Sequence, residues 1–333
     1  TLKAPSIILP YLFKDYSKIN PPENNFITSI DYAAEDLIKT DIVFSGRDAK
    51  SFQEHYYGFQ ACSKTLDRII TTLKPSIGFV WGMSHPQSRL LSRLLQENNI
   101  PVYVFERGIF TDTFMVESVS ENSQSCLNMD PTIWSKWSMN DDENAYEKIK
   151  EYYVKNKPQK YSQNEYIPPD VLRKSLGLEG QKIAVFWGQH DGWSGIIPRE
   201  SKRSHELSPF FADTETAFNY VSETIDKISG LSLLFKPHPH DNNTYCNFAG
   251  SSIVIANNIN NYSLFELADI FIAMLTTTQF EALFYEKPVI AMANSQLKGK
   301  GITYDYQDNL KLDTLIIDTL KKVNYADRLK NSK

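Results

Sequence analysis

Short apolar runs alternating with helical patterns recur along most of the chain, and that alternation constrains the fold more than any other feature. A short, fully apolar strand can be buried on both faces only inside a sheet covered by helices. Repeated βα units therefore predict an α/β fold built on parallel sheets. In the first half, Asp41–Ser45, Ile77–Trp81 and Pro101–Phe105 read as strands. Helices are expected over about Phe52–Leu73 and from Ser84 to about Asn98. There Ser84 can cap, Pro86 suits the first turn and Asn98-Asn99 supplies the stop. Residues 141–157 read as an exposed helix, and the polar, proline-bearing stretch Pro158–Pro169 marks a domain boundary.

In the second half the strand pattern returns at Lys182–Trp187, Leu231–Phe235, Ser252–Ala256, Ile270–Met274 and Pro288–Met292. Helices are expected at Asp170–Leu178, Thr214–Ile228 and Thr278–Tyr285, and Ser263-Leu-Phe-Glu266 reads as a capping box opening another. A chain of 333 residues is long enough for two domains that each bury a core. We expect two Rossmann-like domains, residues 1–165 and 166–333, with their parallel sheets facing across a cleft.

Several classes are disfavoured. A net charge of −5 without a local Lys/Arg cluster gives no footprint for nucleic acid. No stretch approaches the ~20 apolar residues that span a bilayer, and residues 1–10 lack the pattern of a secretory signal. Three cysteines, at 62, 126 and 246, are too few and too irregular for a disulfide framework, and they fit a reducing compartment. No CxxC, HExxH, Walker loop or GxGxxG is present, so zinc-hydrolase, P-loop and dinucleotide readings lack support. The chain opens on Thr1 rather than Met, which leads us to expect an excised domain or a trimmed chain.

Chemistry in such folds gathers at the carboxyl ends of the strands. Four segments fall there: Glu106-Arg107-Gly108, Gly188-Gln189-His190-Asp191-Gly192, Lys236-Pro-His-Pro-His240 and Thr276-Thr-Thr-Gln-Phe-Glu281. In the third, two prolines fix the backbone and remove donors, so Lys236, His238 and His240 carry the polar function, which suits a phosphate. In the fourth, Thr276, Thr277 and Thr278 open a helix whose unpaired N–H groups can also meet a phosphate. The same segment reads as a capping box, Thr278 to Glu281. Asp191 lies between two glycines and can act as nucleophile or base, or bond its own turn. Glu106 occupies the matching place in the first half, beside Arg107. Trp81, Trp187 and Trp193 lie near these strand ends and suit either sugar stacking or the core.

Taken together, Trp81-Gly82, Glu106-Arg107-Gly108, Gly188-Gln189-His190-Asp191-Gly192, Lys236-Pro-His-Pro239 and Thr278-x-x-Glu281-Ala-Leu with Lys287-Pro-Val289 resemble the bacterial β-Kdo transferases of capsule and O-antigen synthesis. The similarity runs from about Ile77 to Met292. Lys-Pro-His-Pro and Glu-Ala-Leu with Lys-Pro-Val are shared with other GT-B enzymes, among them bacterial sialyltransferases and teichoic-acid polymerases. The pairing of Glu106-Arg107-Gly108 with Gly188-Gln189-His190-Asp191 points to the Kdo group.

The resemblance implies a GT-B fold, an acceptor-side domain at residues 1–165 and a CMP-binding domain at residues 166–333. It implies CMP-β-Kdo as donor, a glycan acceptor that can be lipid-linked, and net retention by double displacement through Asp191. Glu106 matches the acidic residue on the acceptor side, and His238-Pro239 the donor phosphate site. Gln189, Lys236, Thr276–Thr278 and Glu281 fall on the donor side, with Arg107 or Gln189 suited to the sugar carboxylate. The family often has a serine in its last motif, where this chain has the threonine run. No metal or other cofactor is expected, and the setting implied is cytoplasmic, including the inner face of the membrane. A CMP-sialic acid-type sialyltransferase, a CDP-glycerol or CDP-ribitol phosphotransferase and a non-catalytic glycan-binding module are the alternatives.

Overall fold

A computed structural model describes residues 37–42, 52–118, 145–159, 161–240, 253–255 and 259–332. The chain divides into two compact units between Tyr103 and Val104.

In the first unit, helix α1 (Phe52–Leu73) buries Tyr56, Phe59, Cys62, Leu66 and Ile70. Spacings of three and four residues place them on one face of a helix. Strand β1 (Gly78–Trp81) and helix α2 (Pro86–Glu97) follow, with His85 rather than Ser84 at the N-cap position and no side-chain cap. Asp41 and Ile42, expected in a strand, instead close a helix over residues 37–42, while residues 43–45 of that expectation lie outside the described residues. The Asp41 carboxylate bridges His55 Nδ1 and Gln87 Nε2, each at 2.8 Å. Burial pushes the Cys62 thiol up to about 12, as for an inert core thiol. The other two cysteines are outside the described residues.

Strand β2 (Val102–Arg107) pairs through Val104–Arg107 with β3 (Phe114–Glu117) in a small sheet. The β2–β3 pair is antiparallel, so this small sheet is not the all-parallel one the sequence led us to expect.

The larger unit is organised by a six-stranded parallel sheet. Its strands are β4 (Lys182–Trp187), β5 (Leu231–Lys236), β6 (Ile253–Ile255), β7 (Ile270–Ala273), β8 (Val289–Ala291) and β9 (Tyr304–Asp305). Their spatial order is β6-β5-β4-β7-β8-β9, with every pair parallel. The chain builds outward from β4 on one side, returns to lay β7 against the other edge of β4, and builds outward again. The order therefore reverses between β4 and β7, and the carboxyl ends of those two strands frame the crevice where doubly wound sheets bind ligands.

Strand β4 shows why both faces must be covered. Ala184 and Phe186 enter one core with Ala217, Phe218, Val221 and Ile225 of helix α7 (Thr214–Ile225) and Leu315 and Ile316 of α10 (Leu312–Leu320). Ile183, Val185 and Trp187 enter the other core, with Tyr262, Leu264 and Phe265 of α8 (Asn261–Leu267) and Ala282 and Leu283 of α9 (Thr278–Phe284). Alternate residues of one apolar strand thus serve two cores. Trp187 stacks on Phe265 at 4.8 Å and belongs to the core.

Helix α3 (Ala145–Asn156) is not simply exposed. Tyr153 is buried against Phe284 at 5.0 Å, and Tyr146 and Lys150 bond Leu283 and Glu286. The polar stretch after it is bonded along α8: Ile167 N donates to Ser263 Oγ, Asn261 N to Gln163 Oε1, and the Tyr166 hydroxyl to Glu266. Ser263 is therefore an acceptor inside the helix, and Asn260 is the cap, accepting from Tyr262 N at 2.8 Å. The remaining helices are α4 (Pro169–Ser175), α5 (Asp191–Ser194), α6 (Lys202–Leu207) and α11 (Tyr325–Ser332). Among the described residues no helix is long and apolar enough to cross a membrane.

Candidate active site

The exits of β4 and β5 approach closely. Gly188 N donates to the Lys236 carbonyl at 2.8 Å, and a Cβ at position 188 would meet that oxygen and Pro237 Cα, each at 3.1 Å. Glycine is the side chain that lets the two loops meet without displacement.

Gln189 follows, buried, and its amide spans the switch point. Its Oε1 accepts from Leu275 N at the end of β7, at 2.9 Å, and its Nε2 donates to Asp191 Oδ1 at 3.1 Å. Asp191 also receives Thr214 N on Oδ2 at 2.9 Å and the Thr214 hydroxyl on Oδ1 at 2.5 Å. Its carboxylate thus faces the first residue of the twelve-residue helix α7, where unpaired amides favour negative charge. Burial nevertheless raises the Asp191 pKa above the usual carboxylate value, against the lowering effect of the Thr214 and Gln189 bonds.

His190 accepts from Trp193 N on Nδ1 at 3.1 Å and stacks on the half-exposed Trp193 ring, centroids 4.4 Å apart and 18° between planes. His238, at the exit of β5, accepts from His240 N on Nδ1 at 3.2 Å. Its ring lies edge-on to both partners, 6.1 Å from His190 and 5.8 Å from Trp193. The His240 ring is 5.3 Å from Trp193.

Tyr161 connects this cluster to the end of β2. Its ring is 5.9 Å from His238 and 5.2 Å from His240, and its hydroxyl accepts from Arg107 Nη1 at 3.4 Å. Beside Arg107, Glu106 Oε1 accepts from Arg107 N at 2.7 Å. Gly108 follows where a Cβ would fall 2.0 Å from Thr113 Oγ1, so that turn too requires glycine.

The contacts form two groups, Gln189 with Asp191 and Thr214, and His190, Trp193, His238, His240, Tyr161 and Arg107, which are neighbours along the chain at residues 189–191. The others are placed differently. Lys236 Nζ donates to the Ile259 carbonyl at 2.5 Å, and burial lowers its pKa to about 8. Pro239 is exposed. Thr276 and Thr278 pair their hydroxyls at 2.9 Å, and Thr277, at the N-cap, makes no side-chain cap bond. The capping box expected from Thr278 is not formed, since Thr278 is the first helical residue. Glu281 is buried; after burial itself, its charge is what most raises the Tyr262 phenol. Among the described residues no group of three His, Cys, Asp or Glu could hold a metal ion.

Sequence reasoning missed Thr214 and Tyr161. Asp213 caps Thr216 N at 2.7 Å, so the start of α7 is legible, but nothing local says that its first amide meets Asp191. Tyr161 sits in a polar stretch with no pattern at all.

No family model matches the chain, and no curated protein matches it. Solved structures do. Thermosulfurimonas dismutans KpsC, beta Kdo 2,4 transferase, superposes with a TM-score of 0.50 at 14% identity, over 73% of this chain and 78% of that one. Thermosulfurimonas dismutans KpsC, beta Kdo 2,7 transferase, gives 0.48 at 16% identity, over 77% and 79%. The UDP-GlcNAc 2-epimerase of Methanocaldococcus jannaschii gives 0.41 at 12% identity, over 83% and 79%. At these identities the likeness is one of fold, and the first match supports the GT-B-type, Kdo-transferase-like α/β fold expected from the sequence.

Proposed function

We propose that this chain is a glycosyltransferase that moves Kdo from CMP-β-Kdo to a glycan acceptor with net retention, by double displacement through Asp191. The observation that carries the reading is the bonded pair of Gln189 and Asp191 at the exit of β4, beside the switch point, with the imidazoles of His190 and His238 facing each other at the exits of β4 and β5. A phosphate and a sugar bound there would lie between hydrogen-bond donors and a carboxylate, which is what glycosyl transfer from a nucleotide requires.

In the first step an Asp191 oxygen attacks the anomeric carbon. The bond to the phosphate oxygen breaks, its electron pair leaves with CMP, and the sugar is held as an ester of Asp191. His238 donates to the leaving phosphate. In the second step the acceptor hydroxyl attacks the same carbon, the ester bond breaks to regenerate the Asp191 carboxylate, and Glu106 takes the acceptor proton. Arg107 neutralises the carboxylate of the sugar. Thr276–Thr278 line the donor side, with Gln189 positioning Asp191. Residues 166–333 hold CMP and residues 1–165 serve the acceptor, a surface glycan that can be lipid-linked, on the cytoplasmic side of the membrane. No metal takes part.

The test is to trap the ester. Incubation with CMP-Kdo in the absence of acceptor should add one sugar to the intact protein mass, mapped to the peptide Trp187–Trp193, and Asp191→Ala should show neither adduct nor transfer. An inverted product, or an adduct elsewhere, overturns the mechanism. The clustered imidazoles favour a second reading, a CDP-glycerol or CDP-ribitol phosphotransferase with a histidine base. CMP released from CDP-glycerol and not from CMP-Kdo would decide for it.

A further inference from the structure

The two half-buried imidazoles at the strand exits are fixed in the same way. A backbone N–H can only donate, so each Nδ1 that receives one must be the unprotonated nitrogen. Trp193 N donates to His190 Nδ1, and His240 N donates to His238 Nδ1. In the neutral ring the remaining proton must then sit on Nε2. The backbone has therefore written one tautomer, Nε2–H, onto both rings, one at the exit of β4 and one at the exit of β5. The centroids are 6.1 Å apart, with the planes at 82°. The stack of His190 on Trp193 further limits rotation of its ring.

We propose that His190 and His238 act as a pair of neutral Nε2–H donors to a single oxyanion, the phosphate of the bound nucleotide. A centroid separation of 6.1 Å is short enough for one tetrahedral phosphate, with several oxygens, to receive a hydrogen bond from each ring. This gives His190 a binding role beside His238. The inference rests on reading the crevice as a nucleotide-sugar site.

His190 offers a clean test because it is also the N-cap of α5. Asparagine is a good N-cap, and its side-chain oxygen can accept from Trp193 N where Nδ1 does now. His190→Asn thus keeps the local fold and removes the Nε2 donor. The chain has six histidines, so ¹⁵N resonances of the rings can be assigned by single substitution. We expect both rings to be Nε2–H in the free protein, and both Nε2 signals to move on titration with CMP but not with cytidine. His190→Asn should weaken CMP by ~10-fold, the effect of one hydrogen bond to a charged group, with an unchanged melting temperature. An Nδ1–H tautomer in either ring, or a His190→Asn variant that binds CMP like the wild type, overturns the pair. CMP that binds without moving either Nε2 removes the pair and leaves the nucleotide site standing. Inorganic phosphate moving both signals while CMP does not bind would keep the pair and remove the nucleotide reading. If neither ligand moves either signal, both fall.

Discussion

Two of the three hydrogen bonds on the Asp191 carboxylate come from Thr214, one from its amide and one from its hydroxyl. A nucleophile must be ionised, yet burial raises the Asp191 pKa. Because the folded pKa lies above the unfolded one, Asp191 favours folding below the ordinary carboxylate pKa, and that contribution is lost as pH rises through the folded value. Thr214→Val removes a donor to the charged form and should push the pKa higher. The acid limb of the rate profile should move up, and the melting-temperature deficit against wild type should be larger at pH 8 than at pH 4. Thr214→Ser should restore both, which a merely structural loss would not. His238→Ala should lower turnover by ~10²-fold, as when one preorganised donor to a developing charge is lost. Glu106→Gln should slow transfer with CMP affinity unchanged in a direct titration. The polar residues at the strand exits were legible because glycine and proline punctuate them. Thr214 and Tyr161 were not, because their partners are brought to them by the tertiary fold alone.

At the scale of elements, Gly188 holds two strands to one geometry. A methyl group there would meet backbone of the neighbouring loop at 3.1 Å, and backbone cannot turn aside as a side chain can. Gly188→Ala should cost about 1–3 kcal/mol, the usual range for overpacking, and should weaken CMP at the same time. Urea denaturation and a CMP titration on the same variant would show whether the two losses go together. The buried strands β4, β5 and β7 were legible because an apolar run at a sheet centre has few other fates. The start of α8 was not: Asn260 and Ser263 are both good caps, and the competition is decided by Ile167, whose amide takes the serine. Helix α3 reads as exposed because charged residues run through it, while Tyr146, Lys150 and the buried Tyr153 dock it. Strand β9, of two residues, is too short to leave a pattern, and β3 buries only Glu117, so it has no apolar run to read.

For the whole molecule, a ligand that binds only the folded chain stabilises it by mass action, about 2.7 kcal/mol at a hundred times its dissociation constant. CMP should therefore raise the melting temperature more than CDP or UMP does, and equal shifts from all three would remove the donor class proposed above. The order of the sheet has a consequence for biosynthesis. Strand β4 is its centre, but its two neighbours are made at very different times. Strand β5 leaves the ribosome soon after β4, whereas β7 arrives only after β6 and α8 have been completed. Until then a strand whose last five residues are all buried in the finished sheet presents an open edge, a template for pairing with another nascent chain. A chain stopped after residue 260 should partition into the insoluble fraction on expression, and one extended through residue 292, which supplies β7 and β8, should recover much of its solubility.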